Sequence, residues 1–497
     1  MKVLILMKSF EYLGLEFLSS CLRNEGYETK LIFDPMLFSD VYLHNNFLLQ
    51  YFDSTDAVIE EAKKYKPDFI LFSMLSDDVQ WVKLRARQLK AVCNSIIIVG
   101  GVHPTAVPEQ VVQYEFFDYA VTGEGEEILP NLLDNLVRGL SVDQIKGVFY
   151  KRGNRVLGEM NRHLIQDLDK YPPPDKELFY TAAPWAKKEY SLIVSRGCPY
   201  DCTYCHNNYL KKNWDKQGNY IRTRSVANVI NELSESKSKY GYTTVNLWDD
   251  NILAVKNYAF DFFGEYADKI HVPFKTFVHP SSINKETARL LADANCWSVE
   301  IGVQSVDKRG RKICGRTETD EMIENSIHLL QEVGIQATVS VITGLPYENY
   351  EQLYLMAKFF ANIKPDRILA FILRYYPKTD ILSIGMEAGI ISEEEKQHIE
   401  EGSYIGSFTS QSRMSSKEYN RLRGLLMLSN KMPPHTIEKL EKLHAERWIP
   451  DLSNFIQFAN QTKGFLQPHN DLARLYRKRL LYYVTGKGRK WIRENKA

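Results

Sequence analysis

Residues 195–207 read SRGCPYDCTYCHN, which puts Cys198, Cys202 and Cys205 at CxxxCxxC spacing on one short loop. Each iron of an iron–sulfur cluster takes one soft thiolate. Three thiols on one loop can therefore hold three irons of a [4Fe–4S] cluster and leave the fourth iron open to another ligand. The competing reading is a zinc site closed by the neighbouring His206. Structural zinc draws its ligands from two separated pairs so that they reach the corners of a tetrahedron, and adjacent Cys205 and His206 suit that poorly.

The apolar run 191–194 just before this loop is the first of six strand-like segments. The others are 244–248, 274–278, 299–302, 337–342 and 368–373, and amphipathic helical stretches such as 226–240, 285–294, 320–333 and 350–362 lie between them. Six βα units fall short of the eight in a closed barrel, so a partial (β/α)6 TIM-type barrel is expected over 187–380. Barrels carry their chemistry at the C-terminal ends of their strands. Unusual residues fall there: the cysteine loop, Asp249-Asp250-Asn251, His279, Gln304-Ser305, Gly344-Leu345-Pro346 and Arg374-Tyr375-Tyr376, with Glu300 inside the fourth strand.

Ahead of this repeat, strand-like runs at 3–7, 29–33, 69–73, 96–99 and 119–122 alternate with helical stretches, the pattern of a doubly wound parallel α/β sheet over 1–140. Ligands of such sheets lie outside the carboxyl ends of the strands. The loops there carry Leu13 and Gly14, then Ser73 and Ser76, then Gly100, Gly101 and His103, then Gly123, Glu124 and Gly125. No GxGxxG follows the first strand, against a dinucleotide. The Gly100-Gly101 pair instead lets backbone approach a large flat ligand. A linker at 141–186 contains a small hairpin, GVFYKRGNRV, and the proline-stiffened DLDKYPPPDKELF. A helical C-terminal domain is expected over 381–497.

Lys and Arg number 63 against 62 Asp and Glu, so no overall field draws the 497-residue chain to nucleic acid. Its seven cysteines, three of them in one loop, are unlike a secreted disulfide framework and point to a reducing, cytoplasmic setting. The opening MKVLILMKSFE is too short in apolar residues for a secretory signal, and no long apolar run suggests a membrane span. The tail DLARLYRKRLLYYVTGKGRKWIRENKA mixes Arg474, Arg477, Lys478, Arg479, Lys487, Arg489 and Lys490 with Leu475, Tyr476, Leu480, Leu481, Tyr482 and Trp491. It reads either as a peripheral contact with an anionic membrane or as a helix capping the domain with its apolar face.

The cysteine loop resembles the signature of the radical S-adenosylmethionine (SAM) enzymes. IVGGVHPTAVPE and AVTGEGEE resemble the cobalamin (B12)-binding domain found ahead of many radical SAM cores, as in class B radical SAM methyltransferases. The resemblance implies a [4Fe–4S] cluster on Cys198, Cys202 and Cys205, with SAM on the open iron and Tyr204 beside its adenine. NLWDDNIL, EIGVQS and ITGLPYE resemble the family's SAM-contact segments, which assigns Asp249, Asp250, Glu300, Gln304, Ser305 and Gly344 to SAM. Cobalamin falls to Leu13, Gly14, Ser73, Ser76, Gly100, Gly101, His103, Gly123, Glu124 and Gly125. The cobalt-ligating DxHxxG motif is missing: Ser76-Asp77-Asp78-Val79 stands after the third strand, and His103 lies in another loop. RYYPKTD stands where a Pro-Gly-Thr turn is frequent, with Lys378 in the glycine's place.

An adenosyl radical that opens an unactivated carbon to a methyl group from cobalamin is the reaction this resemblance implies, on a small-molecule or lipid substrate met by His279, Arg374, Tyr375 and Tyr376. An external one-electron reductant of flavodoxin or ferredoxin type is implied as well. Oxidative cyclisation or rearrangement without methyl transfer is the alternative within the family, and a cobalamin or iron–sulfur sensor is the non-enzymatic one.

Overall fold

The computed structural model describes residues 1–38, 46–403, 416–453, 456, 471–485 and 487–494. The first sheet takes β1 (Lys2–Lys8), β2 (Glu28–Asp34), β3 (Phe69–Ser73), β4 (Ile96–Gly100) and β5 (Tyr119–Val121), all parallel in the order β2-β1-β3-β4-β5. Val3, Leu4, Ile5, Leu6 and Met7 are all buried, whichever face they point to, because helices cover both sides. The order reverses between β1 and β3, which opens a crevice at the carboxyl end of the sheet.

The hairpin expected in the linker belongs to this sheet instead. Its strands β6 (Val148–Arg152) and β7 (Arg155–Gly158) add antiparallel to β5. Three-residue β5 would otherwise leave an unpaired edge, and pairing satisfies its backbone groups. The linker helix Lys176–Ala182 then returns to β2, where Phe179 meets Phe33 edge-on at 5.9 Å. Its Lys176 ammonium sits buried between Glu11 (2.7 Å) and Glu16 (2.8 Å), tying the linker to the loop after β1.

The second sheet begins with β8 (Glu189–Leu192). A two-stranded ribbon follows, β9 (Ser195–Arg196) antiparallel to β10 (Arg222–Thr223), with the cysteine loop between them. The sheet continues as β11 (Thr244–Leu247), β12 (Phe274–Val278), β13 (Cys296–Gln304), β14 (Gln336–Thr343) and β15 (Arg367–Ile372). Its six strands are parallel and in sequence order. This is the expected partial barrel. Val299, Ile301, Ala337, Val339, Ile368 and Ala370 point outward into the core beneath the helices, so Glu300, Ser340 and Arg367 alternate inward. The fourth strand runs longer than its apolar run suggests, with a register shift between Gly302 and Gln304 where Gln304 adopts φ +64°.

Among the described residues the C-terminal region is helical and has no core of its own. Tyr419, Leu422, Leu426 and Ile437 join the barrel's core, which makes the helices Ser416–Leu428 and Pro434–Lys442 its outer layer. The last helices, Asp471–Thr485 and Lys487–Glu494, return to the first sheet. There Tyr483 and Ile492 are buried with Leu37 and Phe38, Tyr482 packs on Trp185, and the Trp491 indole N–H donates to Glu61 at 2.5 Å. Tyr482, Tyr483, Trp491 and Ile492 of the tail thus pack against the first domain. The side chains of Arg474, Leu475, Tyr476, Lys487 and Arg489 lie outside the described residues. No described helix is long and apolar enough to cross a membrane.

Lys378, in the glycine's place, takes a glycine's conformation, with φ +62°. The turn keeps its shape at the expense of backbone strain on a side chain that is exposed and only 3.7 Å from Glu400. A left-handed conformation costs a non-glycine residue about 1 kcal/mol and a surface ion pair returns less than that. Lys378→Gly is therefore expected to raise stability by about 0.5–1 kcal/mol, read as a higher midpoint in chemical denaturation. A lower midpoint would show that Lys378 holds the turn.

Candidate active site

The cysteine loop starts where a carboxylate ends the first barrel strand. Asp249, fully buried after β11, accepts hydrogen bonds from the amides of Val194 (3.0 Å) and Ser195 (2.6 Å) and from the Ser195 hydroxyl. Those amides would otherwise continue β8, so Asp249 turns the chain out of the sheet. Burial lifts its carboxyl to about 7 against the pull of these donors. Gly197 then passes so close to Tyr220 that a Cβ would lie 2.4 Å from its carbonyl oxygen, at φ +93°. Only glycine fits immediately before Cys198.

All seven cysteines are free, and burial pushes the Cys198 thiol up to about 11 and Cys205 to about 12. Such thiols become thiolates only against a strong cation, which iron supplies. Among the described residues no three His, Cys, Asp or Glu side chains stand close enough to hold one metal ion. In a cubane each thiolate meets its own iron, so three thiols on one loop suit a cluster without having to converge on one metal ion. The donor set fits the [4Fe–4S] group.

Sequence reading missed the layer behind these cysteines. Arg316 points Nη1 at Cys202 Sγ (3.6 Å), donates Nη2 to the Gly302 carbonyl and pairs through Nε with buried Glu318 at 2.6 Å. His279 Nε2 stands 3.5 Å from the same Glu318, while its Nδ1 accepts from the Ser281 amide and its ring stacks on Tyr200 of the cysteine loop at 3.8 Å. Burial and the Arg316 charge depress His279 to about 3, so it is neutral and donates from Nε2. A positional clue existed only for His279, at a strand end. Arg316 follows four other basic residues, Lys308, Arg309, Arg311 and Lys312, and nothing in its local pattern separates it from them.

The residues assigned to SAM come together around this layer, in differing ways. Asp250 is exposed at the barrel mouth, near Asn207 and within electrostatic reach of Cys198 and Cys205. Gln304 lies beside Gly302. Ser305 is buried and its hydroxyl accepts from the Asp307 amide, a turn-holding arrangement. Gly344 donates its amide to Glu348 at 2.6 Å, and burial lifts that carboxyl to about 8. Glu300 faces the barrel interior with Ser340, Lys275 and Arg367 around it. Tyr204 is packed among Cys202, Arg316 and Cys314. Asp249 is committed to the backbone.

The first domain's loops meet the barrel here. Glu124 accepts from Arg222 (2.8 and 2.9 Å), Arg196 (3.1 Å) and the Ile165 amide (2.7 Å), and Glu126 takes the other end of Arg196. The GEGE loop thereby grips the ribbon that carries the cysteines. Asp77, beside Ser76, binds Arg374 at 2.5 Å and Tyr376 at 3.2 Å from the other side. Arg374 and Tyr376, expected to meet substrate, thus clasp the two domains, while Tyr375 is buried under the helix Asp380–Glu387.

Among the loops assigned to cobalamin, Gly14 has open space around it. Gly101, at φ +104°, is pressed against the Met74 backbone and Ser73, so its lack of a side chain serves loop packing. Gly100 and Gly123 adjoin Val121 and Asn161, and Gly125 adjoins Leu18. His103 is 1% exposed, with Nδ1 bonded to Ser76 (3.0 Å) and Glu400 close by; burial depresses it to about 4. The Nδ1 bond to Ser76 ties together two of the loops assigned to cobalamin. At the same junction His206 Nε2 is buried without a hydrogen-bond partner and within electrostatic reach of His103. An orphaned nitrogen there fits a polar ligand lodged between the domains.

Comparison with known proteins agrees with this division. Residues 9–133 match the B12 binding domain and residues 192–360 the radical SAM superfamily. An uncharacterized methyltransferase of Pyrococcus horikoshii is 26% identical over 74% of this chain and 76% of its own. An anaerobic magnesium-protoporphyrin IX monomethyl ester cyclase of Cereibacter sphaeroides is 22% identical over 70% of this chain, which spans 56% of the cyclase. The fold is shared with the radical SAM methyltransferase TsrM of Kitasatospora setae, solved with cobalamin and a [4Fe–4S] cluster bound. The TM-score is 0.68 at 15% identity, over 99% of this chain and 98% of that one. The cofactors are accordingly a [4Fe–4S] cluster, SAM and cobalamin. The chain belongs to the radical SAM enzymes that carry a cobalamin-binding domain.

Proposed function

We propose that this enzyme methylates an unactivated carbon of a small-molecule or lipid substrate. The observation that carries the reading is the pinning of the GEGE loop to the cysteine ribbon, Glu124 and Glu126 on Arg196 and Arg222. It brings the ligand loops of the first domain against the loop that holds the cluster. When bound, the cluster and SAM supply a carbon-centred radical and cobalamin supplies the methyl group.

The chain's part is placement. Cys198, Cys202 and Cys205 would hold three irons of the cluster, and Asp249 and Gly197 fix the path of their loop. Arg316 keeps a positive charge beside Cys202, and Asp250 and Gln304 stand at the mouth where SAM's polar groups would lie. Asp77, Arg374 and Tyr376 tie the first domain to the barrel at one side of the junction. Glu300 with Lys275 and Arg367 makes a polar patch inside the barrel.

The test is anaerobic turnover of cofactor-loaded protein with methyl-deuterated SAM and small-molecule or lipid extracts. The expected result is a product that carries the labelled methyl, alongside 5′-deoxyadenosine. Formation of 5′-deoxyadenosine with a product that lacks the label would overturn methyl transfer. It would favour the cyclisation reading, which the likeness to the cyclase supports.

A further inference from the structure

We propose that the exposed basic helix Lys308–Ile313, together with Tyr347, is the docking surface for a small acidic one-electron carrier protein that reduces the cluster. This rests on the cluster assignment above. Each adenosyl radical consumes one electron, so the cluster needs a donor that can approach it. The segment that leads out of this helix lies directly on the cysteine loop: the Thr203 amide donates to the Cys314 carbonyl (3.1 Å) and the Thr203 hydroxyl to the Ile313 carbonyl (2.6 Å). Gly315, exposed, is so close that a Cβ there would come within 2.7 Å of the Asp201 carbonyl oxygen. Arg316, next in the chain, points at Cys202 itself. A partner seated on this helix is therefore separated from a cluster ligand by little more than two strands of backbone.

The charge of the face is local. Around it Asp201 pairs with Lys211, Asp380 with Lys212 and Asp320 with Arg311, and Asp307 caps the helix through the Gly310 amide. Lys308, Arg309 and Lys312 are exposed and take no part in these pairs. Glu321, within electrostatic reach of Lys308 and Arg311, offsets one of them. A net positive patch remains on a chain whose formal charge is only +1. Beside it Tyr347 is 49% exposed, held at φ +68°, with the Arg309 guanidinium 4.1 Å above its ring. Arg and Tyr are the residues that most often anchor protein interfaces, and a basic rim steers an acidic partner and sets its encounter rate. In the transfer one electron leaves the reduced carrier and the cluster gains it, with no bond or proton exchanged.

The experiment follows cluster bleaching by stopped flow in the reconstituted holoenzyme and in the triple variant Lys308→Glu, Arg309→Glu, Lys312→Glu. The reductants are flavodoxin hydroquinone and, in parallel, reduced methyl viologen, a small cation. The bimolecular rate with flavodoxin is expected to fall at least about 10-fold in the variant, and the wild-type rate to fall with rising salt. The viologen rate should not fall. Equal flavodoxin rates in the two proteins would overturn the proposal. So would an equal loss with both reductants, because the charges would then act on the cluster rather than on a partner. Iron and sulfide content and the electron paramagnetic resonance signal of the reduced samples report separately on the cluster assignment.

Discussion

Replacing Arg316 by methionine is expected to destabilise the barrel by about 3–5 kcal/mol, the range for removing one partner of a buried ion pair. Glu318 is fully buried and faces Arg316 at 2.6 Å, with the Thr317 amide donating to it at 3.1 Å and His279 at 3.5 Å. Without the guanidinium, a buried carboxylate must stay charged next to a neutral imidazole or take up a proton, and both cost free energy. The Gly302 carbonyl loses its donor as well. The same substitution removes the positive charge beside Cys202, so iron retained after reconstitution should drop sharply. Denaturation of the metal-free variant, with iron counted on a separate reconstituted sample, divides the two effects. Arg316→Lys should keep part of the iron and little of the stability, since an ammonium cannot reach Cys202, Gly302 and Glu318 together. Wild-type stability in Arg316→Met would refute the account.

The other large effect is expected in the first domain. Asp34 closes β2 and is fully buried, accepting from Arg85 at 2.9 Å, the Trp81 indole at 2.8 Å and the Ser54 hydroxyl at 2.6 Å. Burial alone would raise its carboxyl, but Arg85, Ser54 and Trp81 together hold it below the usual carboxylate range. Asp34→Asn keeps the shape and leaves the Arg85 cation buried without its counter-charge, for a loss of about 3–5 kcal/mol. A depressed carboxyl contributes stability that is complete above the unfolded value near pH 4 and is lost as pH falls through the lower folded value. Chemical denaturation at pH 7 should therefore separate wild type from variant widely, and the gap should narrow in acid as wild type loses what the variant lacks. A gap that stays constant down to pH 2 would mean that packing, not the ion pair, sets the difference. Trp81 and Arg85 sit on the helix Val79–Val92 that follows the Ser76-Asp77 loop, so the variant should also weaken cobalamin binding.

Much of this protein is legible in its residues because the signals are local. All five parallel strands of the first sheet and all six of the barrel coincide with β-rich apolar runs, most within a residue or two, since strands buried on both faces need little beyond continuous apolar sequence. The cysteine trio is equally plain: ligands on one loop do not depend on the rest of the chain to come together. The readings that shifted depend on contacts between distant segments. The hairpin at 148–158 carries no sign of which sheet it will pair with. The partners of His103 and Gly101 within the protein, Ser76 and Met74, come from another loop that nothing in their own neighbourhood announces. Arg374 and Tyr376 sit at a strand end, where substrate contacts are expected, and only the approach of Asp77 from almost 300 positions away makes them a clasp.

By itself the sequence determined the two-sheet plan and the family, because periodicity and loop spacing are encoded over a few neighbouring residues. Tertiary structure alone decided how the two sheets are joined and which polar side chains are already engaged. Glu124 on Arg222, Arg316 on Cys202 and Asp77 on Arg374 are pairings of charges whose sequence neighbourhoods are ordinary. A charge becomes informative only when burial removes its water and forces it to a partner, and burial is a property of the folded chain.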